Sequence, residues 1–181
     1  MAQAEIFEAA KVETQSAAPA RSGTFTRLQS VMIAHGVLIL FMSLVAGLGL
    51  WMKLMGGFEF IPGTVTAFDI PGTAEGWAKA HRGTPMNALM VITVALILPH
   101  LGFGRKLQNW LAVIMVGAGW ANTIFYFFAN FSDNRGLTFG SNVFGPGSIA
   151  SFIALAPAYA FGVASMGATL YMAWRIFSRR D

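Results

Sequence analysis

Five uncharged side chains able to do chemistry lie within, or at the mouth of, stretches otherwise almost free of charge: His35, His81, Asn87, Asn122 and Tyr126. His81 stands between Lys79 and Arg82 with Gly83 and Pro85 just after it, at the mouth of an apolar run. Neutral imidazole is a good axial ligand for haem iron and other intermediate metals, although a lone interfacial histidine more often hydrogen-bonds to backbone or headgroup. His35, inside another apolar run, is a second ligand candidate whose plainer role is an inter-helix hydrogen bond. His100 follows Pro99 and reads as interfacial. Asn122 and Tyr126 are spaced i, i+4, so on a helix their polar tips lie about 40° apart and about 6 Å along one face. Asn87, on the preceding apolar run, is placed to converge on the same space. The plainer roles are inter-helix hydrogen bonding for the two asparagines and an interfacial aromatic belt for the tyrosine.

The elements that must position these groups are four apolar runs, Val31 to Met52, Thr84 to Phe103, Leu107 to Phe131 and Ser148 to Trp174. Each meets the ~20 residues needed to cross a bilayer core. Polar groups are expensive at that depth, so those present face protein, a cavity or a ligand. The chain has 181 residues, 55% hydrophobic and 11% charged, against about a quarter charged in soluble domains. The expected fold is an all-α membrane protein, a four-helix transmembrane bundle over residues 29–181, preceded by a mobile cytoplasmic tail over 1–28 with a short amphipathic helix at Ile6 to Val12. With no cysteine, disulfides, thiolate catalysis, Fe–S clusters and covalent c-type haem are excluded. The net charge of +4 does not form a nucleic-acid stripe, because the basic residues flank the apolar runs. Lys11, Arg21, Arg27, Arg105, Lys106, Arg175, Arg179 and Arg180 fall on one side, and Lys53, Lys79, Arg82 and Arg135 on the other. That bias predicts both termini in the cytoplasm. The first run starts too late and lacks a small-residue cleavage site, so it is not a removable signal peptide.

Between the first two runs, Pro62-Gly63 and Pro71-Gly72 are turn signals, and the alternation over Phe58 to Ile70 predicts a short hairpin at the membrane surface. Gly104-Arg105-Lys106 is short enough to make the second and third helices antiparallel neighbours. The third connection, Ser132 to Gly147, is dense in Gly, Asn and aromatic residues. Such a loop orders only if its backbone groups find partners, and its Phe residues predict that it packs back on the bundle. It shares a side with the first connection, and the two together form a candidate lid. No phosphate loop, HExxH motif or serine triad is present.

Several strings together resemble the styrene oxide isomerase family. They are His35-Gly36, Gly49-Leu50-Trp51-Met52, Gly56-Gly57-Phe58-Glu59, and Glu75-Gly76-Trp77-Ala78-Lys79-Ala80-His81 with Asn87 after it. Further strings are Phe131-Ser132, Asn134-Arg135-Gly136-Leu137-Thr138-Phe139-Gly140, Phe144-Gly145-Pro146-Gly147 and Leu155-Ala156-Pro157-Ala158-Tyr159. The likeness runs from about Met32 to Gly167. It implies a homotrimer in the bacterial inner membrane with haem b at the subunit interfaces, isomerising styrene oxide and related aryl epoxides to aldehydes such as phenylacetaldehyde. By position, His81 matches the axial ligand of the ferric haem iron, and Asn87, Asn122 and Tyr126 match the polar groups around the epoxide oxygen. His35 is kept as a haem-pocket residue. The partners to consider are the epoxide, membrane lipid, further copies of the chain and an epoxide-producing monooxygenase.

The implied chemistry suits the residue types. Epoxide-to-aldehyde isomerisation has no net electron transfer, so ferric haem would serve as a Lewis acid. Neutral amides and a phenol can hydrogen-bond developing negative charge without offering a nucleophile, and an apolar pocket excludes the water that would give a diol. Since an epoxide must meet the iron on the face opposite His81, the histidine and the distal groups of one site are expected to come from different subunits. Two other readings stay open: a b-type cytochrome subunit with His35 and His81 as paired axial ligands, and a haem-free structural or transport protein.

Overall fold

The computed structural model describes residues 25–178; the tail segment before Phe25, including Ile6 to Val12, lies outside them. Among the described residues there are four long helices: α1 (Arg27–Met55), α2 (Ala74–Ile97), α3 (Arg105–Ala129) and α4 (Ile149–Phe177). All four are long and apolar enough to cross a membrane, so the protein is a multi-pass membrane protein. The first helix outruns its apolar run at both ends. Thr26 and Gln29 form a capping box at the start of α1, and Gly56 ends it in the left-handed conformation with φ 64°, a geometry that costs glycine little. Ser148 and Ser151 form the corresponding box on α4.

The largest difference from the apolar runs is in α2, which begins at Ala74, ten residues before Thr84. Thr73 accepts the Gly76 N–H at 3.0 Å, and Glu75 lies in the first turn, where an acidic group meets the helix dipole favourably. His81, at the mouth of the apolar run, is therefore two turns inside the helix. At its far end α2 runs into a 3₁₀ turn, Leu98–Leu101, carrying exposed His100.

Two short strands, β1 (Gly57–Ile61) and β2 (Thr64–Ala67), pair antiparallel with a bulge between Glu59 and Ile61, forming the hairpin expected between the first two helices. It turns at Gly63, φ 82°, whose N–H donates to the Glu59 carboxylate. Lys53, near the end of α1, ties down the following segment by donating to Asp69 at 2.6 Å and to the Ile70 carbonyl at 2.9 Å. The Lys53 hydrogen bond holds the Asp69 carboxyl below the ordinary carboxylate range.

The helices follow one another in space: α1 packs along α2, α2 on α3 and α3 on α4, with α1 also touching α3. Small residues set the α1–α2 approach. An added Cβ on Gly47 would meet the His81 ring at 2.9 Å, and one on Gly49 would meet the Trp77 ring at 2.6 Å. The main core gathers Met32, Ile39, Val91, Leu98 and Met115. By contrast α4 buries only Ser151, Ala154, Ala168 and Met172, and it turns Tyr159, Val163, Met166 and Leu170 outward.

Candidate functional site

Pro85 organises the surroundings of His81. Proline has no N–H, so the His81 carbonyl, four residues earlier, lacks its helical donor. Ser43 of α1 fills the gap: its hydroxyl donates to the His81 carbonyl at 3.0 Å. The Ser43 carbonyl in turn lies 2.9 Å from His81 Nδ1, and a carbonyl can only accept, so Nδ1 carries the proton and Nε2 keeps its lone pair. The imidazole lies flat enough against α1 that Gly47 is required beneath it.

His35 is in the opposite state. Trp120 of α3 donates from its indole N–H to His35 Nδ1 at 3.1 Å, with the rings edge to face. Indole is only a donor, so the neutral imidazole carries its proton on Nε2. Gly36 packs against Ile92 while Gly47 packs against His81, which separates the two histidines by about 16 Å along the α1–α2 pair at 1.5 Å per residue. Two nitrogens on one iron are only about 4 Å apart, with metal–nitrogen bonds of about 2 Å. One subunit therefore does not bring both rings to one metal.

Asn87 and Tyr126 occupy the other side of α2. Asn87 is buried and donates from Nδ2 to Thr123 Oγ1 at 3.4 Å, and the Thr123 hydroxyl donates in turn to the Gly119 carbonyl at 2.8 Å. One turn along, Tyr126 packs on Gly83, where an added Cβ would lie 2.8 Å from the hydroxyl oxygen. Gly83 and Asn87 share a helix face, about 40° apart, whereas His81 lies roughly 120° to 160° away around α2. Asn122 is half-buried on α3, one turn before Tyr126, and its side chain makes no hydrogen bond among the described residues. The structure thus brings Asn87 and Tyr126 to one helix–helix seam, with Asn122 beside it, and turns His81 to the opposite seam.

Tyr126 also lines a cavity of about 720 Å³, with Phe125, Ala129 and Asn130 of the α3 end. His81, Asn87 and Asn122 do not line it. Its rim comes from both extramembrane connections, including Pro71, Thr73, Arg135 and Phe144. They are joined where Asn130 Oδ1 accepts the Thr73 N–H at 2.8 Å. The third connection is held from within by Asn134, fully buried: Oδ1 accepts from Ser132 and Gly136, and Nδ2 donates to the Thr138 and Gly140 carbonyls, all between 2.7 and 3.0 Å. Phe139 packs on Phe152 of α4, and Phe131 packs edge-on to Trp77 of α2, so the loop does return to the bundle.

Ser43, Thr123, Trp120, Asn130 and Asn134 escape a reading of the sequence for chemistry. Only Ser43 has a signal there: a proline four residues after a candidate ligand announces a carbonyl that needs a hydroxyl from elsewhere. Among the described residues no three His, Asp or Glu side chains cluster to hold a metal ion. Of the histidines on α1 and α2, His81 is the one whose Nδ1 hydrogen bond leaves Nε2 without a proton.

A protein from Pseudomonas fluorescens named styrene-oxide isomerase is 59% identical over 137 residues, covering 76% of this chain and 81% of that protein. Residues 28–177, which take in all four helices and both seams, match the family model described as styrene oxide isomerase, and the chain belongs to that family.

Proposed function

We propose that the protein isomerises styrene oxide and related aryl epoxides to aldehydes, phenylacetaldehyde from styrene oxide itself. The observation that carries this reading is the family match over residues 28–177. We further propose haem b as its cofactor, with His81 as the protein ligand and the chain a homotrimer of the bacterial inner membrane with both termini cytoplasmic. The donor chemistry fits: a single imidazole whose Nδ1–H is engaged by a carbonyl presents Nε2 to a metal, and a macrocycle needs no more from the protein. Haem b, when bound, supplies ferric iron as a Lewis acid for the epoxide oxygen.

The remaining work falls to the chain's own polar groups. The Tyr126 hydroxyl and the amides of Asn87 and Asn122 are neutral donors for an oxygen gaining negative charge, and each such donor is worth about 10²-fold or more in rate when preorganised. None is a nucleophile strong enough to be alkylated. The hydrogen that migrates moves from carbon to carbon within the substrate, so no residue has to accept a proton. Packed Phe and Trp side chains around the Tyr126 end of α3, among them Phe127 on Trp77, keep water from the cationic carbon and offer it ring faces.

The test is detergent-purified protein assayed for conversion of styrene oxide alongside its absorption spectrum. His81→Ala should lose or displace the Soret band together with activity. Tyr126→Phe should keep the band and slow turnover by about 10²-fold. Fully active preparations without iron would overturn the cofactor assignment.

A further inference from the structure

Resting on the assignment of His81 as the iron ligand, we propose that Ser43 is its positioning residue, a two-way clasp made necessary by Pro85. The clasp has two halves. The Ser43 hydroxyl donates to the His81 carbonyl at 3.0 Å, and the Ser43 carbonyl accepts from His81 Nδ1 at 2.9 Å. One residue of α1 thereby fixes both the backbone and the ring of one residue of α2. Ser43 is 3% exposed, so water does not compete for either half. The need arises in α2 itself, because Pro85 withholds the N–H that would satisfy the His81 carbonyl and its ring crowds that same carbonyl. Without the Ser43 hydroxyl the carbonyl would be left without a donor, and an unmet polar group at membrane depth is costly. The helix would shift to relieve it and carry the imidazole along.

Ser43 does more than fill a polar gap. The bond from Nδ1–H to a carbonyl selects the tautomer with Nε2 free and strengthens that nitrogen as a donor to a metal, the usual outer-shell effect on a metal-bound histidine. Trp120 selects the other tautomer at His35. The two imidazoles of α1 and α2 are thus sorted by their neighbours, and only His81 presents an unprotonated Nε2.

The experiment uses the full-length haem-loaded protein and resonance Raman spectroscopy of its ferrous form, where the iron–histidine stretch reports the Nδ1–H hydrogen bond. Ser43→Ala should move that stretch to lower frequency and speed haem loss by about 10-fold or more. Ser43→Thr, which keeps the hydroxyl, should behave as the parent. The double change Ser43→Ala with Pro85→Ala restores an N–H to the His81 carbonyl and should return the stretch and haem retention towards parental values. A hydroxyl of purely structural value would lower the yield of folded protein and leave the stretch of the surviving fraction unmoved. If Ser43→Ala leaves the stretch and haem retention unchanged while His81→Ala abolishes the stretch, the clasp is wrong and the ligand assignment stands. If His81→Ala keeps the stretch, both fall. Should Ser43→Ala fail to accumulate, the double variant decides: a parental stretch supports the clasp, and a displaced stretch or a second failure to accumulate overturns it.

Discussion

Asn87 is held by one hydrogen bond, from Nδ2 to Thr123 Oγ1, with the threonine anchored to its own helix through the Gly119 carbonyl. Thr123 is therefore the residue that keeps the amide from turning, although it does not itself reach the cavity lined by Tyr126. Thr123→Val preserves shape and removes the acceptor. A net hydrogen bond of about 1 kcal/mol corresponds to roughly a fivefold change in the population of the held rotamer, so turnover should fall by about that factor with the absorption spectrum of the purified protein unchanged. Asn87→Ala, which removes the donor itself, should cost about 10²-fold. Steady-state kinetics on the two variants check the ordering, and equal losses would mean that Thr123 does more than orient. Asn87 and Tyr126 are legible in the sequence because polar groups in an apolar run need a reason. Thr123 is not, because a threonine can satisfy its hydroxyl on its own helix and so leaves no mark.

At the scale of elements, the four helices are legible because charge-free runs of bilayer length have no other economical structure. Their ends are less so: α2 starts ten residues early because Thr73, Glu75 and buried Trp77 extend it beyond the apolar run, and hydropathy does not register a cap. The hairpin is legible through Pro62-Gly63 and alternating Phe, Ile and Val. The organisation of the third connection around Asn134 is not, since one asparagine among several looks like the others. The α1–α2 seam shows how glycine acts here through space rather than through φ. Gly49→Ala would gain up to about 1 kcal/mol of helix propensity, but its Cβ would lie 2.6 Å from the Trp77 ring. That ring is not free to turn, because its N–H donates to the Pro71 carbonyl at 3.0 Å. Overpacking of this kind costs about 1 to 3 kcal/mol, so the strain outweighs the propensity. Gly49→Ala should lower the midpoint of unfolding in detergent, read by circular dichroism, and a raised midpoint would show that Trp77 yields easily.

At the scale of the molecule, α2 is a partition. On one side it turns His81 to α1, and on the other it turns Gly83 and Asn87 to α3, where Tyr126 packs on Gly83, roughly 120° to 160° around the axis. A ligand held by His81 and groups acting on the opposite face of that ligand are not brought together within one chain. The outward apolar faces of α1 and α4, with Phe41, Leu44, Tyr159 and Met166 exposed, leave ample surface for lipid or for further copies. In the proposed trimer, each site takes His81 from one subunit and Tyr126 from its neighbour, a head-to-tail contact that closes after three copies. Co-expressing His81→Ala chains with Tyr126→Phe chains then tests the arrangement. In a closed trimer that holds both kinds of chain, one of the three head-to-tail interfaces pairs an intact His81 with an intact Tyr126, so activity should return to about a third of the parental rate. The readout is turnover by trimers purified through a different tag on each chain, compared with either variant alone. Mixed trimers no more active than Tyr126→Phe by itself would place both faces of the site in one subunit, and α2 would then have to rotate from the orientation that Ser43 and Thr123 hold.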